Sequence, residues 1–443
     1  MKLFFSIVLI LFIITLSKKE EKKEEKDPVY EKLLKWGINN SLNITHKIKF
    51  VKEKNVRKYV AKNLIPEGEQ IMDIPPEIMM SVNRSLNLLN SKKFRKGYNA
   101  YLKEDKDSPE VLKDEFHVDQ SFLSYILYTI NHKKKTYEKN KFYQFYEPMF
   151  YMFEEDLDHL PFYFSSEQMK FFINTSFGSV FEILNSYMNV EATIFEKKIF
   201  NKTLIYDDYL RYRIFSIQKS YSINGTISIV PFIDLIKKSF KDVNCEFKTD
   251  DKHLRIFSTK NIFPGEELIL IPSSTSNQHS FIFFGETYDE ILGKFPSYNI
   301  PSVISHFISD KPFDIDLRPF GVNSRVDLVE YDFFKNVLDI YKTVARTLKV
   351  DDSDVGAYSL FLKYLKRIRE NFNYISNDDI RKAFLSNKDV ENVRRIIDGE
   401  KVFIEIKIGI LEKFIKVIKE GKDEKKTKKD EKKTKDKEKV KDL

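Results

Sequence analysis

Two near-identical segments that lie far apart in the chain constrain its fold more than any other feature. The first reads KNLIPEGE at 62–69 and the second reads KNIFPGEE at 260–267, and each joins two apolar stretches. Proline fixes φ and glycine permits the tight reversal, so both segments predict turns between short strands. Because neither half is large enough to bury its apolar faces alone, we expect residues 48–75 and 225–285 to form the short, mostly antiparallel sheets of one core.

The residues around the second segment carry a resemblance to a known family. Residues 230–238 read VPFIDLIKK, and residues 265–286 read GEELILIPSSTSNQHSFIFFGE. This pattern resembles the SET-domain methyltransferases, in particular the Rubisco large-subunit lysine methyltransferases and the actin-histidine methyltransferase, which read roughly VPxxDxxNH and then GEExxxxYGxxSNxxLxxxYGF. The resemblance implies an α+β fold, in which a SET β core is split by a helical insertion and followed by an all-helical, substrate-binding-like domain. It also implies S-adenosylmethionine as the cofactor.

The chain departs from the family pattern at positions that matter for the chemistry. Pro272 stands where the family has its active-site tyrosine, and Lys237-Lys238 stand where it has Asn-His. A proline offers neither a hydroxyl nor an N–H to position a nucleophile. Two ammonium groups near a sulfonium are unfavourable, although one of them has an alternative partner in the carboxylate of the cofactor. The sequence therefore predicts no catalytic residue at this place.

The remaining positions of the predicted cofactor pocket are also changed or ambiguous. Arg57, Lys58 and Tyr59 stand where a glycine precedes the family's cofactor-binding turn, and a side chain there crowds a close backbone approach. Gln218-Lys219 replaces the family's Ser-Arg. Asn277 is retained, and both a cleft contact and a turn cap are open for it. The degenerate pocket thus comprises Arg57, Lys58, Tyr59, Lys219, Lys237, Lys238 and Asn277.

Two functions compete on this basis. The first is a non-catalytic pseudo-methyltransferase that uses the SET scaffold to bind a protein in the cleft between the SET core and the helical domain. The second is an active S-adenosylmethionine-dependent lysine or histidine methyltransferase with a rearranged site, for which Tyr288 offers a displaced hydroxyl. The residue losses favour the first function, and they predict that S-adenosylmethionine binds weakly or not at all.

Composition excludes several other classes. The formal charge of +8 is spread widely, without the clustered basic stripe and interleaved aromatic residues of a nucleic-acid interface, so we expect no nucleic-acid partner. Seven histidines lack metal-ligand spacing, and Cys245 is the only cysteine, which predicts neither a metal site nor an internal disulfide.

The N-terminus predicts a secretory address. Lys2 precedes an apolar run at 3–16, which is shorter than a membrane span and is followed by the charged run 18–26. We expect a signal peptide at 1–17, although a retained anchor stays open, and therefore localisation in the ER lumen or outside the cell, with no membrane association after cleavage. Six N-x-S/T sequons predict a glycoprotein, starting at Asn39, Asn43, Asn83, Asn174, Asn201 and Asn224.

Periodicity and composition divide the chain into segments. We expect a short amphipathic helix at 29–39 and a helix capped by Ser166. Residues 208–223 match the family helix that ends in Ser-Arg, and residues 402–408 fit a helix or a strand. The predicted organisation is a signal peptide at 1–17, a charged linker at 18–28, the SET core at 29–84 and 206–290 around a helical insertion at 85–205, a helical C-terminal domain at 291–420 and a disordered tail rich in Lys and Glu at 421–443.

Overall fold

The computed structural model describes most of the chain. The described residues are 27–53, 56–106, 118–153, 156–172, 175–272, 277–291, 342, 345–346, 351, 353–372 and 375–441. The predictions for the signal peptide, most of the charged linker and nearly all of residues 292–352 lie outside them. No helix of the described part is long and apolar enough to span a membrane.

Strands and helices come in separate runs along the chain, as is typical of the α+β class that the sequence predicts. The strands are β1 Asn43–Ile44, β2 Ile48–Glu53, β3 Val56–Ala61, β4 Gln70–Ile74, β5 Met80–Ser81, β6 Ser220–Ile223, β7 Thr226–Ile229, β8 Lys237–Lys238, β9 Cys245–Asp250, β10 His253–Ser258 and β11 Ile269–Leu270. The α-helices are α1 Pro28–Asn39, α2 Val82–Leu89, α3 Lys92–Lys106, α4 Val118–His132, α5 Lys134–Tyr137, α6 Lys141–Tyr146, α7 Ser166–Met169, α8 Ser176–Thr193, α9 Tyr206–Lys219, α10 Asn277–Phe284, α11 Asp354–Phe372, α12 Asn377–Ala383 and α13 Asn387–Lys441.

The chain divides into two compact units. The first unit comprises residues 1–95, 122–155 and 219–272, and the second comprises residues 96–121, 156–218 and 273–443. The domain boundaries given above follow sequence patterns and stay a prediction.

The first unit contains the sheets. One sheet has the order β1-β4-β10-β9-β11-β8, antiparallel from β1 to β9 and parallel from β9 to β8. The first unit also contains a hairpin of β2 and β3 and a small sheet with the order β5-β7-β6. In β10, Leu254, Ile256 and Ser258 are buried while the alternate residues are half-exposed, because successive side chains of a strand point to opposite faces.

The two near-identical segments pair with each other. Ile65 N donates to Ile262 O over 3.0 Å, and Ile262 N donates to Ile65 O over 2.9 Å. Each turn places its glycine in the left-handed region, with φ +80° at Gly68 and +89° at Gly265, which favours glycine over any residue with a Cβ. The prediction of one mostly antiparallel core is confirmed for the strands of residues 48–75 and 225–270, whereas residues 277–284 at the end of the predicted range form helix α10 in the second unit.

The second unit is built mainly from helices. Apolar side chains of α11, among them Phe361 and Leu365, are buried where this helix packs on α13. On α13 the buried side chains recur every three or four residues, as expected for an amphipathic helix, and they are Ile404, Ile408, Leu411 and Ile415. Of the two alternatives for residues 402–408, the structure has the helix.

Three local expectations differ from the structure. The helix predicted at 208–223 ends at Lys219, and residues 220–223 form β6, because Ser220–Ile223 pairs with β7. The cap of α7 is Ser165 rather than Ser166, since the Ser165 hydroxyl accepts from Gln168 N and the Gln168 side chain accepts from Ser165 N. Helix α13 continues to Lys441 through the segment predicted to be disordered; lysine and glutamate are good helix formers in sequences that lack proline.

Candidate cofactor site

The segment VPFID bends sharply to position the residues that follow it. Phe232 is fully buried with φ +72°, a strained conformation for a residue with a large side chain. Its ring lies where a Cβ on Gly37 would come within 2.6 Å, so only glycine fits at that place in α1. The turn of 3-10 helix at Ile233–Leu235 then presents Asp234 and leads into β8.

The two lysines of β8 point to different environments. Lys237 is exposed, and its Nζ lies 3.3 Å from Glu267 Oε2. Lys238 is half-buried, and its Nζ lies 5.7 Å from the centre of the Tyr221 ring. This separation follows from the two-residue repeat of a strand, which pairs in parallel with β11. The two ammonium groups therefore do not act as one charged pair.

Glu267 forms ion pairs with two of the predicted pocket positions, Lys58 and Lys237. Its carboxylate lies 2.5 Å from Lys58 Nζ as well as 3.3 Å from Lys237 Nζ. The hydrogen bond from Lys58, opposed by burial and supported by Lys237, lowers the pKa of Glu267. Glu266 has a different role, since its Oε2 accepts a hydrogen bond from Phe263 N inside the turn. The Lys58 side chain is thus held by an ion pair with Glu267.

The neighbours of Lys58 on β3 are engaged in packing. Arg57 Nε donates to Asp27 Oδ2 over 2.8 Å, and its guanidinium lies 5.4 Å from the Tyr151 ring centre. Tyr59 is fully buried, its hydroxyl lies 3.3 Å from the hydroxyl of Tyr30, and burial raises its pKa well above the usual value. Sequence reasoning missed Asp27, Tyr30 and Tyr151, which are far from β3 in sequence and carry no motif.

A cluster of ionisable side chains surrounds Lys238. We call it the inner cluster and define it by Lys219, Tyr221, Asp234, Lys238 and Cys245. Lys219 Nζ lies 3.8 Å from Asp234 Oδ2, and both side chains are at most one-tenth exposed. Burial raises the pKa of Tyr221, and the Asp234 carboxylate raises it further. The cluster brings together two predicted positions, Lys219 and Lys238, with the retained Asp234.

The amine and the thiol of the inner cluster shift in opposite directions. Burial lowers the pKa of Lys238 to about 8, with Asp234 acting against the shift and Lys219 adding to it. Burial raises the pKa of the Cys245 thiol to about 12. Desolvation penalises whichever form is charged, so it favours the neutral amine and the neutral thiol.

The remaining predicted positions lie after β11. Pro272 is half-buried and follows the exposed Ile271. In the second unit, Asn277 is buried at the start of α10, its Oδ1 accepts from Tyr288 N over 2.6 Å, and its Nδ2 donates to Tyr288 O over 2.8 Å. Two roles were open for Asn277, a cleft contact and a turn cap, and these two hydrogen bonds with the Tyr288 backbone support the turn cap.

Tyr288, whose hydroxyl is a candidate substitute for the family tyrosine, is engaged by an acid. Its hydroxyl donates to Glu286 Oε2 over 2.6 Å, and burial together with the Glu286 charge raises its pKa. Among the described residues, no group of three or more His, Cys, Asp or Glu side chains is arranged to hold a metal ion.

Comparison with known proteins places this geometry in a family context. Residues 57–270 match the family model of the SET domain. A solved structure of Rubisco LSMT bound to AdoMet aligns with a TM-score of 0.57 at 12% identity, covering 88% of this chain and 93% of that chain. The SET domain of LSMT bound to lysine and AdoHcy aligns with a TM-score of 0.56 at 12% identity, covering 87% and 91%. No curated protein matches the sequence.

Proposed function

Because residues 57–270 form a SET domain with the fold of Rubisco LSMT, we propose that the chain is a SET protein that binds a protein partner without transferring a methyl group. Pro272, at the position of the family's active-site tyrosine, is the observation that carries this proposal. Methyl transfer is a displacement at a sulfonium whose rate depends on positioning. Proline has no hydroxyl to supply that positioning.

The inner cluster adds electrostatic support. Lys238 stands where the family has histidine, and it brings an ammonium into a half-buried environment that already contains Lys219. S-adenosylmethionine carries a positive sulfonium, and like charges are costly where water is partly excluded. Lys237 contributes less to this repulsion, because Glu267 balances its charge.

An active methyltransferase is the second candidate, and two observations favour it. The similar LSMT structures are bound to AdoMet, to AdoHcy with lysine, and to sinefungin with monomethyllysine. In addition, the lowered pKa of Lys238 removes its charge in mildly alkaline solution, where the repulsion of a sulfonium falls.

Calorimetric titration of the full chain separates the two candidates. We expect no heat of binding with S-adenosylmethionine at neutral pH, and no methyl incorporation into lysine or histidine peptides from a radiolabelled donor. Binding at micromolar concentration together with methylation of a peptide or of the protein itself would overturn the proposal and favour the second candidate.

The partner class follows from the resemblance and the fold. The family carries an all-helical domain that holds a folded protein substrate, and the described helices α11 to α13 lie at the corresponding place in the chain. We therefore propose a protein as the partner and the secretory pathway as its location, the latter on the N-terminal segment described above.

A further inference from the structure

Lys238 occupies an environment that differs from that of an ordinary surface lysine. It pairs with Leu270 of β11, and Leu270 pairs in turn with Cys245 of β9, so Lys238 and the buried Cys245 project from the same face of the sheet. Its Nζ lies over the Tyr221 ring. Within the described part of the chain, Lys238 forms no ion pair, whereas its neighbour Lys237 is paired with Glu267.

The groups around this amine favour its neutral, nucleophilic form. Burial and the Lys219 charge lower the pKa of Lys238 to about 8, and Asp234 only partly compensates. Desolvation and an adjacent cation are the two ways in which proteins activate lysine as a nucleophile. The Cys245 thiol does not compete, because burial raises its pKa to about 12 and keeps it protonated.

We propose that Lys238 is a covalent attachment site for small carbonyl compounds that carry a carboxylate, of the 2-oxo acid class. This inference goes beyond protein binding and does not depend on whether the SET domain transfers methyl groups.

The chemistry needs no additional reactant. The neutral ε-amine adds to the carbonyl carbon, which forms a C–N bond and moves the carbonyl electron pair onto oxygen. A proton passes from nitrogen to that oxygen, and loss of water leaves an imine. The reaction is reversible by hydrolysis, and no electron transfer occurs.

The charges of the inner cluster explain the preference for a carboxylate. The cluster contains two amines and one carboxylate, so it has an excess of positive charge whenever Lys238 or its imine is protonated. A ligand carboxylate near Lys219 and Lys238 offsets that excess, and an ion pair in a half-buried place is screened less than one at the surface. A neutral aldehyde offers no such compensation.

Trapping with glyoxylate and cyanoborohydride tests the proposal on the full chain. The reductant converts the imine into a stable carboxymethylated amine, and peptide mass spectrometry locates it. At about pH 7.5 an amine with a pKa near 8 is about two hundred times more often neutral than one with a pKa near 10.4. Allowing for the lower nucleophilicity of the less basic amine, we expect Lys238 to be labelled at least about ten times faster than Lys237.

The chain supplies its own control, because Lys237 is adjacent and exposed. Equal labelling of Lys237 and Lys238 in the wild-type protein overturns the proposal, as does labelling of Lys238 by acetaldehyde as readily as by glyoxylate. Loss of the preference for Lys238 in concentrated urea supports it, because the preference then depends on the fold. The Lys238→Arg variant is expected to lose the adduct and the Lys237→Arg variant to keep it. If Lys238→Arg does not fold, the relative labelling of Lys237 and Lys238 in the wild-type protein still tests the proposal.

Discussion

Lys237 and Lys58 share the carboxylate of Glu267: Lys237 Nζ lies 3.3 Å from Oε2, and Lys58 Nζ lies 2.5 Å from Oε1. Two of the basic residues that mark the degenerate pocket therefore share one acid that the family pattern retains, and this acid offsets one of their two positive charges. The charge that remains to repel a sulfonium belongs mainly to Lys238, because Lys219 is ion-paired with Asp234 at 3.8 Å.

Replacing Lys237, Lys238 and Pro272 by the family's residues tests which of these positions weakens cofactor binding. We expect Lys238→His to raise the affinity for S-adenosylmethionine by about tenfold or more, since about 1.4 kcal/mol of repulsion suffices for that factor. Lys237→Asn is expected to have a smaller effect, because Glu267 already balances its charge. Calorimetric titration of both variants measures this. Pro272→Tyr alone should not restore turnover, and measurable turnover in that variant would contradict the account of the pocket.

A buried ion pair stabilises the second unit. Arg213 Nε donates to Glu191 Oε1 over 2.9 Å with both side chains buried, and the hydroxyls of Ser121 and Tyr209 also donate to Glu191. We expect Glu191→Ala to lower the free energy of unfolding by about 3–5 kcal/mol, because it leaves a buried guanidinium uncompensated. Urea unfolding provides the measurement.

The matched control for that variant is Glu167→Ala. Glu167 pairs with Lys170 at the surface, with side chains 75% and 59% exposed. We expect a change within about 0.5 kcal/mol, as for other exposed pairs. Similar losses in both variants would contradict the importance of burial.

The buried His279 is expected to make the protein less stable in acid. Burial lowers its pKa to about 4, and its ring lies 4.9 Å from that of Phe283. An unfolded histidine has a pKa of about 6.5, so the unfolded state binds the proton first and stability falls as pH falls from about 6.5 to about 4. The loss is on the order of 3 kcal/mol.

The contribution of His279 is isolated by a variant that does not titrate. We expect His279→Asn to lose less stability than the wild type between those two pH values, in urea unfolding series at each pH. His132→Asn is the control, because His132 is exposed. Parallel curves for the wild type and His279→Asn would contradict the prediction.

Substitution by alanine is expected to have opposite effects on stability at two glycines, Gly265 and Gly409. Gly265→Ala should destabilise the protein by about 1–2 kcal/mol, because the turn holds φ at +89°. Gly409→Ala should stabilise it by about 0.5–1 kcal/mol, because Gly409 lies within α13 and an added Cβ meets no atom within 4 Å. Thermal unfolding of both variants gives the signs, and a stabilising Gly265→Ala would contradict the turn geometry.

The proposed secretory location predicts processing and glycosylation. Of the six sequon asparagines, Asn39, Asn43, Asn83, Asn201 and Asn224 are exposed, and Asn174 lies outside the described residues. We expect a mature N-terminus near Lys18 and a loss of mass on treatment with an endoglycosidase. An intact Met1 on an unglycosylated protein isolated from the cytosol rejects the location.

The parts of the fold that depend on local pattern were predictable from sequence. The paired segments KNLIPEGE and KNIFPGEE carry turn residues at fixed places, so their strands and turns follow from backbone chemistry. The end of α9 at Lys219 agrees with the resemblance, which ends the family helix at the pair replaced here by Gln218-Lys219, but the residue pattern alone did not predict it, because apolar residues continue past Lys219 and pairing with β7 makes residues 220–223 a strand.

The tertiary partners of the predicted pocket positions could not be predicted from the sequence. The sequence singles out Lys58 and Lys237, yet their common partner Glu267 follows from a tertiary arrangement that brings β3, β8 and the second turn together. Asn277 similarly left two roles open, because the amide geometry that engages Tyr288 depends on the path of the chain after α10.

The pairing of Ile65 with Ile262 also has a consequence for synthesis on the ribosome. The two residues are about 200 positions apart, and contacts of such long sequence separation form late and slowly. Strand β4 leaves the exit tunnel long before β10, its partner in the six-stranded sheet, so one edge of β4 stays unpaired while the intervening helices are being translated. A nascent chain that stalls before residue 254 therefore presents an open template for aggregation, which makes chaperone binding during translation important for this architecture.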